Sequence, residues 1–437
     1  MDILIVGNGF DLSHFLPTKY DHFMEAMKSI EGFQGSSGME FDDIYKILYV
    51  KEAYFFNKTK ELYKYDLIKL DKDQVQTFKV MLQQNIWYKY FLNHVNDIQT
   101  WIDFEQKIEE ALIHAVKAIN IVNEKHSTTR FFNSPIFTTP RDNPNSYFFT
   151  EFQFNILTCL TFIIPNPQNA SASVRVGSLN SNYFKSPVSE IYGLDSTKFI
   201  SFLQKELDKF IEIFNLYLEL IINNLVPIQM FKKDKLKEID KVYSFNYTNT
   251  FEKFYNNEIN INYLHGKFGS NQNLVLGISD LNDASLKRLK AYGFTKYHQK
   301  LLNETDYTFL HEIITKYNDD LKDHENALIN FRSSITDYAL RSHATQTLDQ
   351  VKNRLSNINL NFYIWGHSLD VSDESYIKEI FSFNEHMDNN VHVTVYHFNK
   401  VAKFDLLANL IYILGKEKVE YWMKNKWLTF KPNPEII

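Results

Sequence analysis

The first residues that could do chemistry lie at the start of the chain, directly after the apolar run at residues 2–6. Paired glycines let the backbone turn tightly and approach a phosphate, and a nearby carboxylate can contact a ribose or cap the next helix. Residues of these types are Gly7, Asn8, Gly9, Phe10 and Asp11. They indicate either a nucleotide-binding turn or an ordinary strand-to-helix turn. Ser13 or His14 stands where a dehydrogenase fingerprint has its third glycine, so that fingerprint is not met.

Two further polar motifs follow predicted strands in the middle of the chain. Asn246 and Tyr247 follow residues 241–245, and His265 follows residues 260–264. An asparagine amide can hold a ribose or orient a water, and a histidine titrates near neutral pH and can act as a general base. The structural alternatives are a turn-forming asparagine and a histidine satisfied within the fold.

A late motif follows the apolar run at residues 361–365. Gly366 would permit close approach of a ligand, and Ser368 could donate a hydrogen bond to a phosphate. Asp373 is either a further ligand contact or the N-cap of the helix that follows it.

A last pair of carboxylates lies in a helical stretch, at Asp103 and Glu105. Positions two apart on a helix point to different faces. We therefore expect one of the two to cap the helix and the other to reach the ligand site.

These motifs need a sheet that brings strand ends together. In an open parallel sheet, ligands bind beyond the carboxyl ends of the strands, where most of these residues are predicted to lie. The predicted fold is α/β, a Rossmann-like parallel sheet with large, mostly helical insertions. The predicted divisions are a discontinuous nucleotide-binding core at 1–30, 240–283 and 358–415, a mostly helical insertion at 41–239, a second at 284–357, and a C-terminal extension at 416–437.

Within the core, a strand is expected at residues 273–276, and the 41–239 insertion is expected to form a lid or wall over the ligand site.

Composition narrows the function classes. The net charge of −6 gives no general reason to bind nucleic acid, whose phosphates attract clustered Lys and Arg. One cysteine forms neither an intrachain disulfide nor a cysteine zinc site, and no metal centre is predicted. No signal peptide and no membrane-length apolar stretch is evident, so a cytoplasmic protein without membrane contact is expected.

Taken together, the motifs resemble the AbiH family of bacterial phage-defence proteins, which act by abortive infection. The resemblance runs from residue 3 to about 385, and its most specific part is the opening motif at residues 7–12, followed by Leu16-Pro17-Thr18 and Tyr20. The other matching motifs, in the family's order, are 101–105, 245–248, 265–266 and 366–369 with Asp373.

A more distant likeness links the chain to sirtuin-like domains, including bacterial defence NADases. It implies NAD as substrate or ligand, with Asn246 positioning the ribose or a water and His265 acting as base. If the chain is an enzyme of this kind, Asp11 or Asp103 could assist. The nucleotide contacts expected from these resemblances are Gly7, Asn8, Gly9, Phe10, Thr18, Tyr247, Gly366, Ser368 and Asp373. The chain departs from the pattern at Thr248, where relatives often carry Asp, and it lacks the zinc-binding cysteines of deacetylating sirtuins.

Three functional hypotheses follow. The first is an anti-phage enzyme that hydrolyses the nicotinamide–ribose bond of NAD after infection. The second is a nucleotide-binding sensor without catalysis, and the third is a toxin directed at nucleic acid, which the acidic charge disfavours. A phage-derived trigger and a homo-oligomer are left open.

Overall fold

The computed structural model describes the chain except for residues 95–99, 126–135, 138–148, 167–173, 186–192, 233–235, 237, 306–307, 335–337, 357–358, 384–390 and 437. The chain forms two compact units. The first unit comprises Met1–Leu16, Gln229–Lys267 and Glu304–Ile437, and the second comprises Pro17–Ile228 and Phe268–Asn303.

The described strands are β1 (Asp2–Val6), β2 (Met39–Glu40), β3 (Lys69–Leu70), β4 (Ile136–Phe137), β5 (Ile163–Pro165), β6 (Val176–Leu179), β7 (Lys241–Ser244), β8 (Ile261–Tyr263), β9 (Leu360–Trp365), β10 (Val391–His397) and β11 (Leu428–Pro432). The described α-helices are α1 (Asn8–Ser13), α2 (Tyr20–Gly32), α3 (Phe41–Ile44), α4 (Lys46–Lys51), α5 (Ala53–Leu62), α6 (Lys72–Gln84), α7 (Ile86–Leu92), α8 (Trp101–Lys125), α9 (Glu151–Cys159), α10 (Ser196–Tyr217), α11 (Thr250–Phe254), α12 (Ala284–Arg288), α13 (Lys296–Leu302), α14 (His311–Ser333), α15 (Tyr338–Ser356), α16 (Glu374–Ile380), α17 (Lys400–Leu414) and α18 (Lys416–Lys424). None of these described helices combines the length and apolar character needed to cross a membrane.

The first unit is built on a six-stranded sheet in which every neighbouring pair is parallel. Its order is β8-β7-β1-β9-β10-β11. Numbered by appearance within the sheet, this is 3-2-1-4-5-6, the strand order of dinucleotide-binding folds. The central strands are buried, as their continuous apolar runs predict. The predicted α/β fold with a Rossmann-like parallel sheet and helical insertions is confirmed.

Two segments differ from the sequence expectation. The last strand of the sheet, β11, lies in the segment 416–437 that was expected to be an extension. The strand expected at residues 273–276 does not form, although Leu274, Val275 and Leu276 are buried. There the Gln299 side chain accepts a hydrogen bond from the Leu276 backbone nitrogen and donates one to the Leu276 carbonyl, so a side chain supplies the partner that a neighbouring strand would supply.

The second unit is mostly helical and has a core of aromatic rings. Helices α2, α7, α8 and α10 contribute Phe23, Phe91, Phe104 and Phe210, whose ring centroids lie 4.3–5.7 Å apart in contacting pairs. Aromatic side chains bury large areas and pack edge to face or offset, so contacts among these rings hold the four helices together. A small antiparallel sheet, β4-β6-β5, belongs to the same unit.

Candidate functional site

Glycines fix the contact between the ends of β1 and β9, where the strand order reverses. The Gly9 nitrogen donates to the Gly366 carbonyl at 2.8 Å. A Cβ added to Gly366 would lie 1.9 Å from the Phe10 nitrogen, and one added to Gly7 would lie 2.5 Å from the Cα of His367. Gly366 also has φ +76°, a conformation that favours glycine. These glycines are therefore needed where two backbone segments pack against each other, in the region where dinucleotide folds bind their ligands.

Asp11 lies beside this contact and is almost completely buried. The Thr248 hydroxyl donates to its Oδ2 at 2.6 Å, and the Thr250 hydroxyl donates to the Thr248 oxygen at 3.0 Å. Burial raises the pKa of the Asp11 carboxyl from 3.8 to about 6, while hydrogen bonding from Thr248, Thr250 and Asn246 opposes part of that rise. The result is a buried carboxyl that titrates just below neutral pH.

Asn246 owes its position to the turn that ends β7. The Ser244 hydroxyl accepts a hydrogen bond from the Asn246 backbone nitrogen and donates one to the Asn246 carbonyl, both at 3.1 Å. The Asn246 side chain is buried, and its amide makes no hydrogen bond of good geometry to a described residue, although it lies close enough to Asp11 to favour the ionised carboxylate. A buried amide costs free energy unless it finds a partner, so this residue is well suited to receive a ligand or a water.

A pocket joins Asp11's threonine partners to Asn246. The space among its lining residues is too narrow to admit a water-sized sphere. The lining residues are Val6, Phe10, Ser244, Asn246, Thr248, Thr250, Phe251, Ile261 and Tyr263. In this conformation the pocket is too narrow to hold a nucleotide.

A second polar cluster contains two histidines and one carboxylate, all buried. Asp373 places Oδ1 3.5 Å from Nε2 of His265 and Oδ2 3.3 Å from Nε2 of His367. The Leu369 nitrogen donates to Nδ1 of His367 at 2.9 Å, so neutral His367 carries its proton on Nε2 and donates it towards Asp373. The ring of Phe245 packs against both imidazoles. Asp373 thereby ties the ends of β8 and β9 together.

The family model described as "Bacteriophage abortive infection AbiH" matches residues 3–397. The chain belongs to the AbiH family. It is thus a bacteriophage abortive infection protein, and the resemblance inferred from the motifs is confirmed. No curated protein and no solved structure matches the chain.

In this AbiH-family chain, His367 is the residue that motif reasoning passed over. It stands between Gly366 and Ser368, which were both singled out. Its signal was its place in the strand-end motif, but the Asp373 contact depends on a loop in which Leu369 adopts φ +54°. The alternative role of Asp373 as a side-chain cap is not realised: it occupies the N-cap position of α16, but its side chain makes no capping hydrogen bond.

The remaining predicted residues of the first unit surround the two clusters less closely. Asn8 begins α1 and is half-buried. The Tyr247 ring lies 6.4 Å from that of His265. Ser368 is exposed, and its carbonyl accepts the Asn409 side chain at 3.0 Å.

Two predicted site residues belong to the second unit. Thr18 is buried, and its carbonyl accepts the Trp101 indole nitrogen at 3.1 Å. The Asp103 carboxylate accepts the Thr100 nitrogen at 2.8 Å, which caps the start of α8. Its neighbour Glu105 is buried in a 2.7 Å ion pair with Lys296. The lid role of this helical region stays a prediction.

Proposed function

We propose that this protein defends against phage by hydrolysing the N-glycosidic bond between nicotinamide and ribose in NAD or a close analogue. The observation that carries the proposal is the buried Asp11, with Asn246 beside it, at the carboxyl edge of a sheet with dinucleotide-fold strand order. A carboxyl with a pKa of about 6 is largely ionised at the neutral pH of a cell.

The chemistry of this bond matches such a carboxylate. As the bond between ribose C1′ and the nicotinamide nitrogen breaks, its electron pair leaves with nicotinamide and positive charge develops on the ribose. The Asp11 carboxylate would stabilise that charge in a pocket of low dielectric constant. The Asn246 amide would orient the water whose oxygen bonds to C1′.

His265 would accept the proton that the water loses. Asp373, 3.5 Å from its Nε2, would stabilise the resulting imidazolium and hold the ring. His367 holds Asp373 from the other side and is in this scheme a positioning residue. The products are nicotinamide, ADP-ribose and one proton, so atoms and charge balance.

A second candidate is a nucleotide sensor without turnover. The observation that favours it is the closed pocket together with the use of the Gly9 amide by Gly366, which removes one donor that a phosphate would need. In this alternative, the nucleotide or a phage component opens the pocket, and the change in shape is the signal.

The test is to incubate the purified protein with NAD, NADP, ATP, RNA and DNA, with and without lysate of infected cells, and to measure nicotinamide and ADP-ribose by liquid chromatography. We expect release of both from NAD, with Asn246→Ala and His265→Ala reducing turnover about 10²–10⁴-fold. Asn318→Ala and His343→Ala, at exposed positions on α14 and α15, are matched controls that should retain it.

Cellular NAD distinguishes the two candidates. Enzymatic defence lowers NAD after infection in wild-type cells and not in His265→Ala cells. Constant NAD during effective defence, with nucleotide binding retained by the purified protein, would remove the hydrolase and leave the sensor.

A further inference from the structure

Helix α17 exposes an apolar stripe that a solvent-facing surface does not need. Val401, Phe404 and Tyr412 are 68%, 73% and 78% exposed, and Phe398, directly before the helix, is 78% exposed. Val401, Phe404, Ala408, Ile411 and Tyr412 follow spacings of three and four residues, so they share one face of the helix, and Phe398 lies just before its first turn. We call the six residues Phe398, Val401, Phe404, Ala408, Ile411 and Tyr412 the α17 stripe.

The opposite face of the same helix is already in the core. Leu406, Leu410 and Ile413 are buried in the core of the first unit, so α17 has two apolar faces. Among its exposed positions from 401 to 412, Asp405 is the single charge, and helical geometry puts it at the edge of the stripe. A helix that is apolar all round is normally covered on both faces.

Helix α14 shows what an uncovered face looks like in the same unit. Its exposed positions are mostly charged or polar, and Ile329 is its one exposed large apolar residue. The α17 stripe therefore does not reflect a general tolerance of apolar surface in this unit.

We propose that the α17 stripe is the interface through which two copies of this chain form a symmetric dimer. In an antiparallel helix pair with its two-fold axis at Ala408, residues four before and four after that position face each other. Phe404 of one copy then packs on Tyr412 of the other, and the small Ala408 lets the helices approach closely. The same stripe serves both partners, as a two-fold interface requires.

The area and charge of the stripe fit this occupant. A fully covered aromatic side chain buries about 150–250 Å², so three that are about three-quarters exposed, with Val401 and Ile411, supply roughly 500–700 Å² per copy. Two copies bury roughly 1,000–1,400 Å² in total, which reaches the lower range of specific interfaces. The area on each copy lies at the upper end of the largest apolar patch that a monomer usually exposes. Because Asp405 lies at the edge, self-association brings no like charges into the centre.

The experiment measures the mass of the full-length protein by size exclusion with light scattering. The wild type should run at twice the 51.8 kDa chain mass. The double variant Phe404→Glu/Tyr412→Glu should be monomeric, with a dimer dissociation constant raised on the order of 100-fold or more, because it puts charges at the centre of the interface. Ile329→Glu, an equivalent change on α14, should leave the dimer intact, and circular dichroism should show all three proteins folded.

A cross-link locates the axis independently. In a Cys159→Ser background, Ala408→Cys should give a covalent dimer with a short thiol-specific cross-linker, whereas Asn318→Cys on α14 should not. A monomeric wild type, a dimer that survives the double glutamate variant, or a stripe that captures a different protein while the chain stays monomeric would each overturn the proposal.

Discussion

Two buried carboxylates of the first unit, Asp11 and Asp373, are held in opposite ways. Asp11 receives neutral hydroxyl donors from one side, and burial raises its pKa to about 6. Asp373 lies between two imidazoles, each of which can carry a proton towards it. Among the residues that the structure describes, ionised Asp11 has no cation beside it, so its charge destabilises the fold. Asp373 contacts two imidazoles, and these contacts connect the ends of two strands. In the proposed mechanism, this difference makes Asp11 the reactive group and Asp373 a positioning residue.

The strongest challenge to this assignment is Asp11→Asn. We expect it to abolish defence and to lower any NAD turnover about 10²–10⁴-fold, because the negative charge that the proposed mechanism places near the ribose is lost. We also expect the variant to be more stable than wild type at pH 7.5. Unfolding in urea and plaque assays on the same variant measure both effects. Loss of defence with loss of stability would instead make Asp11 a structural residue.

The sign of the stability change follows from the pKa. Between pH 3.8 and about 6 the folded protein holds a proton that the unfolded chain has released, so the free energy of unfolding falls as pH rises through this window. The stabilisation is complete below pH 3.8 and lost above about 6, and a shift of this size corresponds to roughly 3 kcal/mol. The asparagine variant lacks this slope. The two proteins should therefore differ in stability at pH 7.5 and converge towards pH 4.

The sequence singled out Asp11 and Asn246 of the first cluster, and His265 and Asp373 but not His367 of the second. Strand-end placement and residue type were enough to single out Asp11, Asn246 and His265, because parallel strands bring their carboxyl ends to one edge. The bridge between His265 and His367 needs a loop conformation that no local pattern encodes.

The presence of a histidine near a motif did not by itself distinguish a site residue from a core residue. His14 also follows the opening motif, yet it is a core residue whose pKa burial lowers to about 4, with Nδ1 bonded to the Phe10 carbonyl and Nε2 to the Tyr255 hydroxyl. The helical spacing of apolar residues predicted that residues 41–239, most of the second unit, are mainly helical. The absence of a strand at residues 273–276 was not predicted, since a buried apolar run gives no sign that a glutamine side chain will satisfy its backbone.

A smaller effect is expected from Asp373→Asn. The amide keeps one acceptor for His367 but points a donor at His265 or loses that contact, so we expect a loss of about 1–3 kcal/mol in unfolding free energy. Turnover should fall less than for Asp11→Asn, and its pH profile should shift because His265 loses a neighbouring negative charge. Asp319→Asn, an exposed carboxylate on α14, is the control and should change neither. An unshifted pH profile with unchanged stability would show that the bridge has no role.

The smallest effect should come from Thr250→Val, which removes the hydroxyl that donates to Thr248, the hydrogen-bond donor to Asp11. Thr250 donates to Thr248, which donates to Asp11, and the Thr250 hydroxyl makes a smaller contribution than Thr248 to lowering the pKa of Asp11. Valine keeps the shape and removes the hydroxyl, so Thr248 retains its bond to Asp11 and the cost should be about 1 kcal/mol. Because one hydrogen bond that favours the ionised form is lost, the pKa of Asp11 should rise, and the acid limb of the activity profile should move to higher pH.

Thr248→Val removes the direct donor and should move the limb further in the same direction. Equal shifts in the two variants would mean that both hydroxyls contact Asp11 independently, and no shift in either would detach the carboxyl from the observed activity.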